Sequence, residues 1–145
     1  MKSKLLRQTA DSRSFAIIFD QDDEALTGLH EFAEREKLAA SSFTAVGAFK
    51  DVTLGWFDWD QKDYKKIPIH EQVEVLALVG DVSMDKGKRK VHAHVVVGTS
   101  TGDARGGHLL DAHVRPTLEV FLTESNAELR RAYDPHAQIA LIQTT

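Results

Sequence analysis

The chain contains no cysteine. Disulfide staples, thiolate catalysis and cysteine-ligated zinc are therefore excluded. It also lacks any apolar run near the roughly 20 residues that a membrane-spanning helix needs. Its first residues, Met1-Lys2-Ser3-Lys4-Leu5-Leu6-Arg7-Gln8, offer two leucines where a secretory signal has a long apolar segment. The expected location is the cytoplasm, with no membrane partner. An excess of positive charge is missing too: 18 basic against 22 acidic residues leave a net charge of −4. A free-standing DNA binder draws much of its affinity from surplus lysine and arginine, so the balance argues against that class. There is no Ser-His-Asp order, phosphate loop or dinucleotide fingerprint. No internal repeat, low-complexity tract or linker divides the chain either. Its 145 residues are expected to form one domain, 1–145, with a full core.

What the chain does have is β pattern. Leu5 to Thr9 reads as a short strand, Asp11-Ser12-Arg13 as a turn, and Ser14 to Phe19 as a second strand. Asp20-Gln21-Asp22-Asp23-Glu24 then loads acid onto the start of a helix, where it complements the helix dipole. Leu26, Leu29, Phe32 and Ala33 share one face of that helix, and Glu31, Glu34, Arg35 and Lys37 the other. The helix should fade near Leu38-Ala39-Ala40. Two β stretches follow, Phe43 to Phe49 and Val52 to Trp59, with Gly47 and Gly55 marking a bulge or close backbone approach. Trp56, Phe57 and Trp59 cannot all face one core, so at least one is expected at an interface or cavity. Tyr64 to Ile69 is a return strand. Gln72 to Met84 is the longest β pattern and is expected to be central, covered on both faces.

The basic run Lys86-Gly87-Lys88-Arg89-Lys90 turns this strand into Val91-His92-Ala93-His94-Val95-Val96-Val97. Apolar and imidazole side chains alternate there, which puts His92 and His94 on one face of a strand. Gly106-Gly107-His108 opens the neighbouring element and brings a third imidazole. Three imidazoles on one sheet face can ligate a divalent metal with one coordination position open. The alternative is a set of sheet histidines hydrogen-bonded to their neighbours. Val114 to Glu124 closes the sheet, Ala127 to Tyr133 reads as a short helix, and Ile139 to Ile142 as a last strand. Many strands with one main helix give an α+β class with a largely antiparallel sheet.

Other residues carry open alternatives. Glu119 lies mid-strand and is the candidate catalytic carboxylate, as a general base, extra ligand or acceptor for a histidine N–H. An ion pair with Arg105 or Arg115 is the other reading. Glu74 raises the same question, and Arg105 could meet an anionic substrate or simply lie on the surface. His30 is read as a boundary residue, His70 and His136 as surface residues, and His113 as an exposed or interface residue.

His92-Ala93-His94-Val95, Gly106-Gly107-His108-Leu109-Leu110 and Thr117-Leu118-Glu119-Val120 together resemble the plants-and-prokaryotes-conserved (PPC) domain. Ala45-Val46-Gly47-Ala48, Val52-Thr53-Leu54, Glu74-Val75-Leu76 and Gly80-Asp81 resemble its earlier motifs in the same order, so the resemblance covers nearly the whole chain. It implies an α+β fold assembled as a homotrimer. In land plants the domain sits beside an AT-hook that contacts DNA, and prokaryotic members are commonly the domain alone, labelled DNA-binding by association. This chain has no Arg-Gly-Arg-Pro hook. The fold is also similar to that of acetolactate decarboxylase, a zinc enzyme whose ligands are a His-x-His pair and a later histidine. His92, His94 and His108 match that set by type and order.

Three functions are then open. The first is a homotrimer with a divalent metal, expected to be zinc, at His92, His94 and His108 near a subunit boundary, acting on or binding a small molecule. The second is a DNA-associated accessory protein that uses the Lys86 to Lys90 turn. The third is a structural oligomer that recruits a protein partner through its aromatic surface.

Overall fold

Two strands much longer than the usual five or six residues carry the architecture, β3 (Ala40–Asp58) and β7 (Ala104–Ser125). In the computed structural model, which describes residues 1–144, they pair antiparallel from Ser41 opposite Glu124 to Gly55 opposite His108. The sequence pattern breaks each of them in two, but the structure runs both through. At Gly47 the interruption is a bulge, not a turn, with a register shift and φ of +151°. A Cβ at that position would lie 2.3 Å from the Thr117 carbonyl oxygen, so glycine lets the two backbones close up.

The other strands are β1 (Lys2–Gln8), β2 (Ser12–Phe19), β4 (Asp63–Ile69), β5 (Val73–Asp85), β6 (Lys88–Gly98), β8 (Arg130–Asp134) and β9 (Ile139–Gln143). All belong to one nine-stranded sheet whose main path runs β1-β2-β7-β3-β5-β8-β9. β4 hangs on β3, with Pro68 tolerated because that strand is an edge. β6 pairs with both β5 and β7, so β3, β5, β6 and β7 form a closed circuit of hydrogen bonds. Every pairing is antiparallel except a two-residue contact of β8 with the end of β5. The protein is thus mostly β-sheet with, among the described residues, one helix. Among the described residues no helix is long and apolar enough to cross a membrane.

The helix α1 (Ala25–Glu36) forms where its acidic lead predicts. Glu24 is its N-cap and accepts from the Leu26 and Thr27 amides at 3.1 and 2.7 Å. Lys37 ends it in the left-handed region, slightly before the expected stop. Leu29, Phe32 and Ala33 are buried against the sheet, and the Phe32 ring meets Phe15 edge-on at 5.2 Å. Leu29 and Phe32 each contribute about 1.5–3 kcal/mol by leaving water.

Two further expectations fail. Residues 127–133 do not form a helix, since Arg130–Asp134 is strand β8. It pairs with β9 and with Met84 and Asp85 of β5, and these tertiary partners override a weak local preference. Nor is β5 covered on both faces within one chain. Val75, Leu78 and Val82 are buried, but Leu76 and Val79 are 55% and 53% exposed.

Candidate metal centre

The β5–β6 hairpin turns through Lys86 and Gly87, both with positive φ (49° and 78°) as a two-residue turn of the primed type requires. The turn sets the register. Asp81 falls opposite His92 and Val79 opposite His94. On the other flank of β6, His94 lies directly opposite His108 of β7. On its far side β7 also lies tight against β3, where a Cβ at Gly107 would meet the Gly55 carbonyl oxygen at 2.7 Å.

The three imidazoles therefore converge. Ring centroids are 5.1 Å apart for His92–His94, 5.2 Å for His92–His108 and 5.3 Å for His94–His108. One ligand nitrogen from each falls within 4.8 Å of the other two. Two further groups hold the rings in place. Tyr64 stacks on His108 at 4.6 Å, and the Asp81 carboxylate lies 3.0 Å from His92 Nδ1. Burial opposes ionisation of Asp81, but hydrogen bonds from His92 and Arg131 outweigh it and hold its pKa below the usual value. An ionised carboxylate can only accept, so His92 Nδ1 carries the hydrogen toward Asp81, which leaves Nε2 as the ring's candidate ligand atom. Arg131 completes the support. Its Nη2 donates to Asp81 at 2.7 Å and its Nε to Ser83 Oγ at 2.8 Å.

The electrostatics favour neutral rings at His94 and His108. His108 is pushed down to about 4, first by burial and then by His92, His94, Lys90 and Arg131. His94 is lowered by desolvation and by His92. A metal needs unprotonated imidazole, so both shifts prepare the rings to ligate. His108 Nδ1 is buried without a hydrogen-bond partner. An ion held by that nitrogen would relieve the cost of leaving it unpaired. Donor type, convergence and the unpaired atom all fit a divalent cation.

The remaining candidates lie apart from this centre. Glu119 is exposed on β7, opposite Val46 and Ile18, and eleven residues along the same strand from His108. At about 3.3 Å per residue, that spacing keeps it away from the histidines of its own chain. The cause is that β7 is one continuous strand and not two pieces that fold back together. Glu74 and Arg105 are exposed near Gly98 and Val97. His70 is exposed, while His136 is exposed with its ring against Trp59 at 5.2 Å. His30 is half-buried on α1. His113 is half-buried and forms a second group with Asp51 and Asp111. There the Asp51 carboxylate lies 2.8 Å from His113 Nδ1 and raises the histidine pKa. Protonation is favoured, the reverse of His94 and His108.

Asp81, Ser83, Arg131 and Tyr64 were not singled out by sequence reasoning. Asp81 had a usable signal, because counting back from a two-residue turn at Lys86-Gly87 puts it across from His92. Arg131 had none, as its segment reads locally as helix and its partners lie 48 and 50 residues away.

A search of curated proteins returns no match. Among solved structures, a plant- and prokaryote-conserved protein from Pyrococcus horikoshii is 29% identical with a TM-score of 0.87, covering 94% of each chain. A metal-containing protein from Archaeoglobus fulgidus is 29% identical with a TM-score of 0.84, covering 98% of this chain and 96% of that one. A protein from Ralstonia eutropha, provisionally named DNA-binding, is 26% identical with a TM-score of 0.84, covering 90% and 91%. A Staphylococcus aureus protein described as similar to α-acetolactate decarboxylase shares the fold alone, at 15% identity and a TM-score of 0.54, over 84% of this chain and 53% of that one. The model of the Plants and Prokaryotes Conserved (PCC) domain matches residues 6–126, and the chain belongs to that family.

Proposed function

We propose that this PCC-domain protein is a homotrimer that holds a divalent cation, zinc by its donor set, on His92, His94 and His108 and uses it on a small molecule. One observation carries the reading: a buried imidazole nitrogen of His108 has no partner among the described residues, and His108 is one of three convergent imidazoles. Zinc on the three histidines would supply a Lewis acid, the chemistry that hydrolysis or decarboxylation of a small molecule needs. The chain does the rest. Asp81 orients His92, Tyr64 packs the face of His108, and partial burial disfavours protonation of His94 and His108. The metal content of the Archaeoglobus relative supports the same reading.

The trimer is supported by the outward face of the sheet. Cross-strand partners Phe121, Thr44, Val79 and His94 form a row across four strands, and all four are exposed. Val46, Leu76 and Val96 add to this apolar surface. A ring of copies packed through this face would cover it and put the centre beside a subunit boundary. It is also the route by which the Glu119 of a neighbouring copy would reach the histidines as a catalytic carboxylate. Metal analysis of untagged protein is expected to find about one ion per chain, and much less in His94→Ala and His108→Ala. No ion bound, and none taken up on addition, would overturn the reading.

A DNA-associated role is the second reading, favoured by the provisional name of the Ralstonia neighbour. The basic turn gives it limited support, because Arg89 is committed to Glu34 at 2.9 Å. It expects salt-sensitive DNA binding that weakens when Lys88, Arg89 and Lys90 are neutralised. Absence of binding at low salt removes it.

A further inference from the structure

The family match stops at residue 126, yet the chain goes on to build the β8–β9 hairpin at Arg130–Gln143. This hairpin is docked firmly. Arg131 ties it to Asp81 and Ser83 and donates from Nη1 to the Ala140 carbonyl at 3.3 Å. Its turn rests on the β3–β4 tip through His136 and Trp59, and Ala137 is buried. Placed so, it closes one side of a cavity of about 270 Å³ whose other side reaches the histidine centre.

The cavity has two chemically different walls. Ile139, Ala140 and Leu141 from the hairpin supply an apolar wall, while His92, His108 and Lys90 supply a polar one. Lys90 lies two residues before His92 on β6 and so on the same face. The cationic charge of Arg131 is already answered by Asp81, whereas Lys90 has no ion pair among the described residues. Asp85 also lines the cavity and forms no ion pair with Lys90 among the described residues. The volume lies just below the range of about 300–1,000 Å³ that holds drug-sized ligands, so the occupant must be small.

We infer that the hairpin turns the histidine centre into a pocket for a small organic anion: a carboxylate on a short apolar chain, with its charged end at Lys90 beside His92 and its chain against Ile139 and Leu141. The inference rests on the metal reading for the chemistry at the histidines, but the pocket walls stand independently of it.

The test is a calorimetric titration of the full zinc-loaded chain with acetate, butanoate and hexanoate, with inorganic phosphate alongside. Affinity should rise about threefold to fourfold for each methylene buried, and phosphate should gain nothing from the apolar wall. Leu141→Ser should flatten the dependence on chain length, and Lys90→Gln should weaken every carboxylate about tenfold. Zinc content should stay constant in both variants. A flat series, or one indifferent to both substitutions in protein that still binds zinc, would sink the pocket while sparing the metal. If no zinc binds, the metal reading fails instead, and the same series on the metal-free chain decides the pocket by the same criteria.

Discussion

His108 concentrates the chemistry of this protein in one side chain, since it is stacked, half-buried and left with an unpaired nitrogen. Its depressed pKa has a consequence for the metal-free protein. Above the ordinary value of 6.5 the ring is neutral both folded and unfolded, so it does not favour either state. As pH falls below 6.5 the unfolded chain takes up a proton that the folded chain refuses until about 4. Stability should therefore decline through that window, and His108→Asn should remove part of the slope, read as the urea midpoint against pH. Asp81 acts through His92. Asp81→Asn should lower metal affinity about 10- to 100-fold with the fold intact by circular dichroism. An unchanged affinity would mean that the carboxylate does not position the ring. The three histidines were legible in sequence because strand alternation alone puts His92 and His94 on one face. Their support was less legible, since Arg131 is brought to Asp81 only by tertiary pairing.

Among the elements, α1 shows how far local rules reach. The acidic run before it and the apolar face within it predicted the helix, and the structure adds which acid does the capping. Glu24 caps the first turn and also accepts from the Ala112 amide of β7 at 3.1 Å, so one carboxylate joins helix to sheet. Burial opposes its ionisation, but these hydrogen bonds win and lower its pKa from 4.5. Its stabilising effect is thus full above that value and is lost as pH falls from there through the lower value of the folded state. Glu24→Ala is expected to cost about 0.5–2 kcal/mol at neutral pH, with the difference from the parent shrinking in acid, both read by chemical denaturation. Elsewhere local rules gave out. β8 reads as helix because its pairing with β5 and β9 lies outside any short window, and β3 and β7 read as fragments because a bulge at Gly47 looks like a break.

For the whole molecule, the outward face of the sheet decides between one copy and several. A central strand with Leu76 and Val79 more than half exposed is costly to leave in water, and Phe121 and Val46 extend the same surface. The sequence pattern of β5 anticipated cover on both faces, and an assembly would supply the half that a single chain does not. Phe121→Glu places a charge in that surface without touching the core, where Val120 and Leu122 point inward. Light scattering should then show the mass falling from three chains to one, with the far-ultraviolet dichroism unchanged. Because β6 and β7 of a single chain supply all three imidazoles, the dissociated variant should retain its metal. If metal is lost together with the mass, a neighbouring copy contributes to holding the ion. If the mass does not fall, the outward face is not what joins the copies.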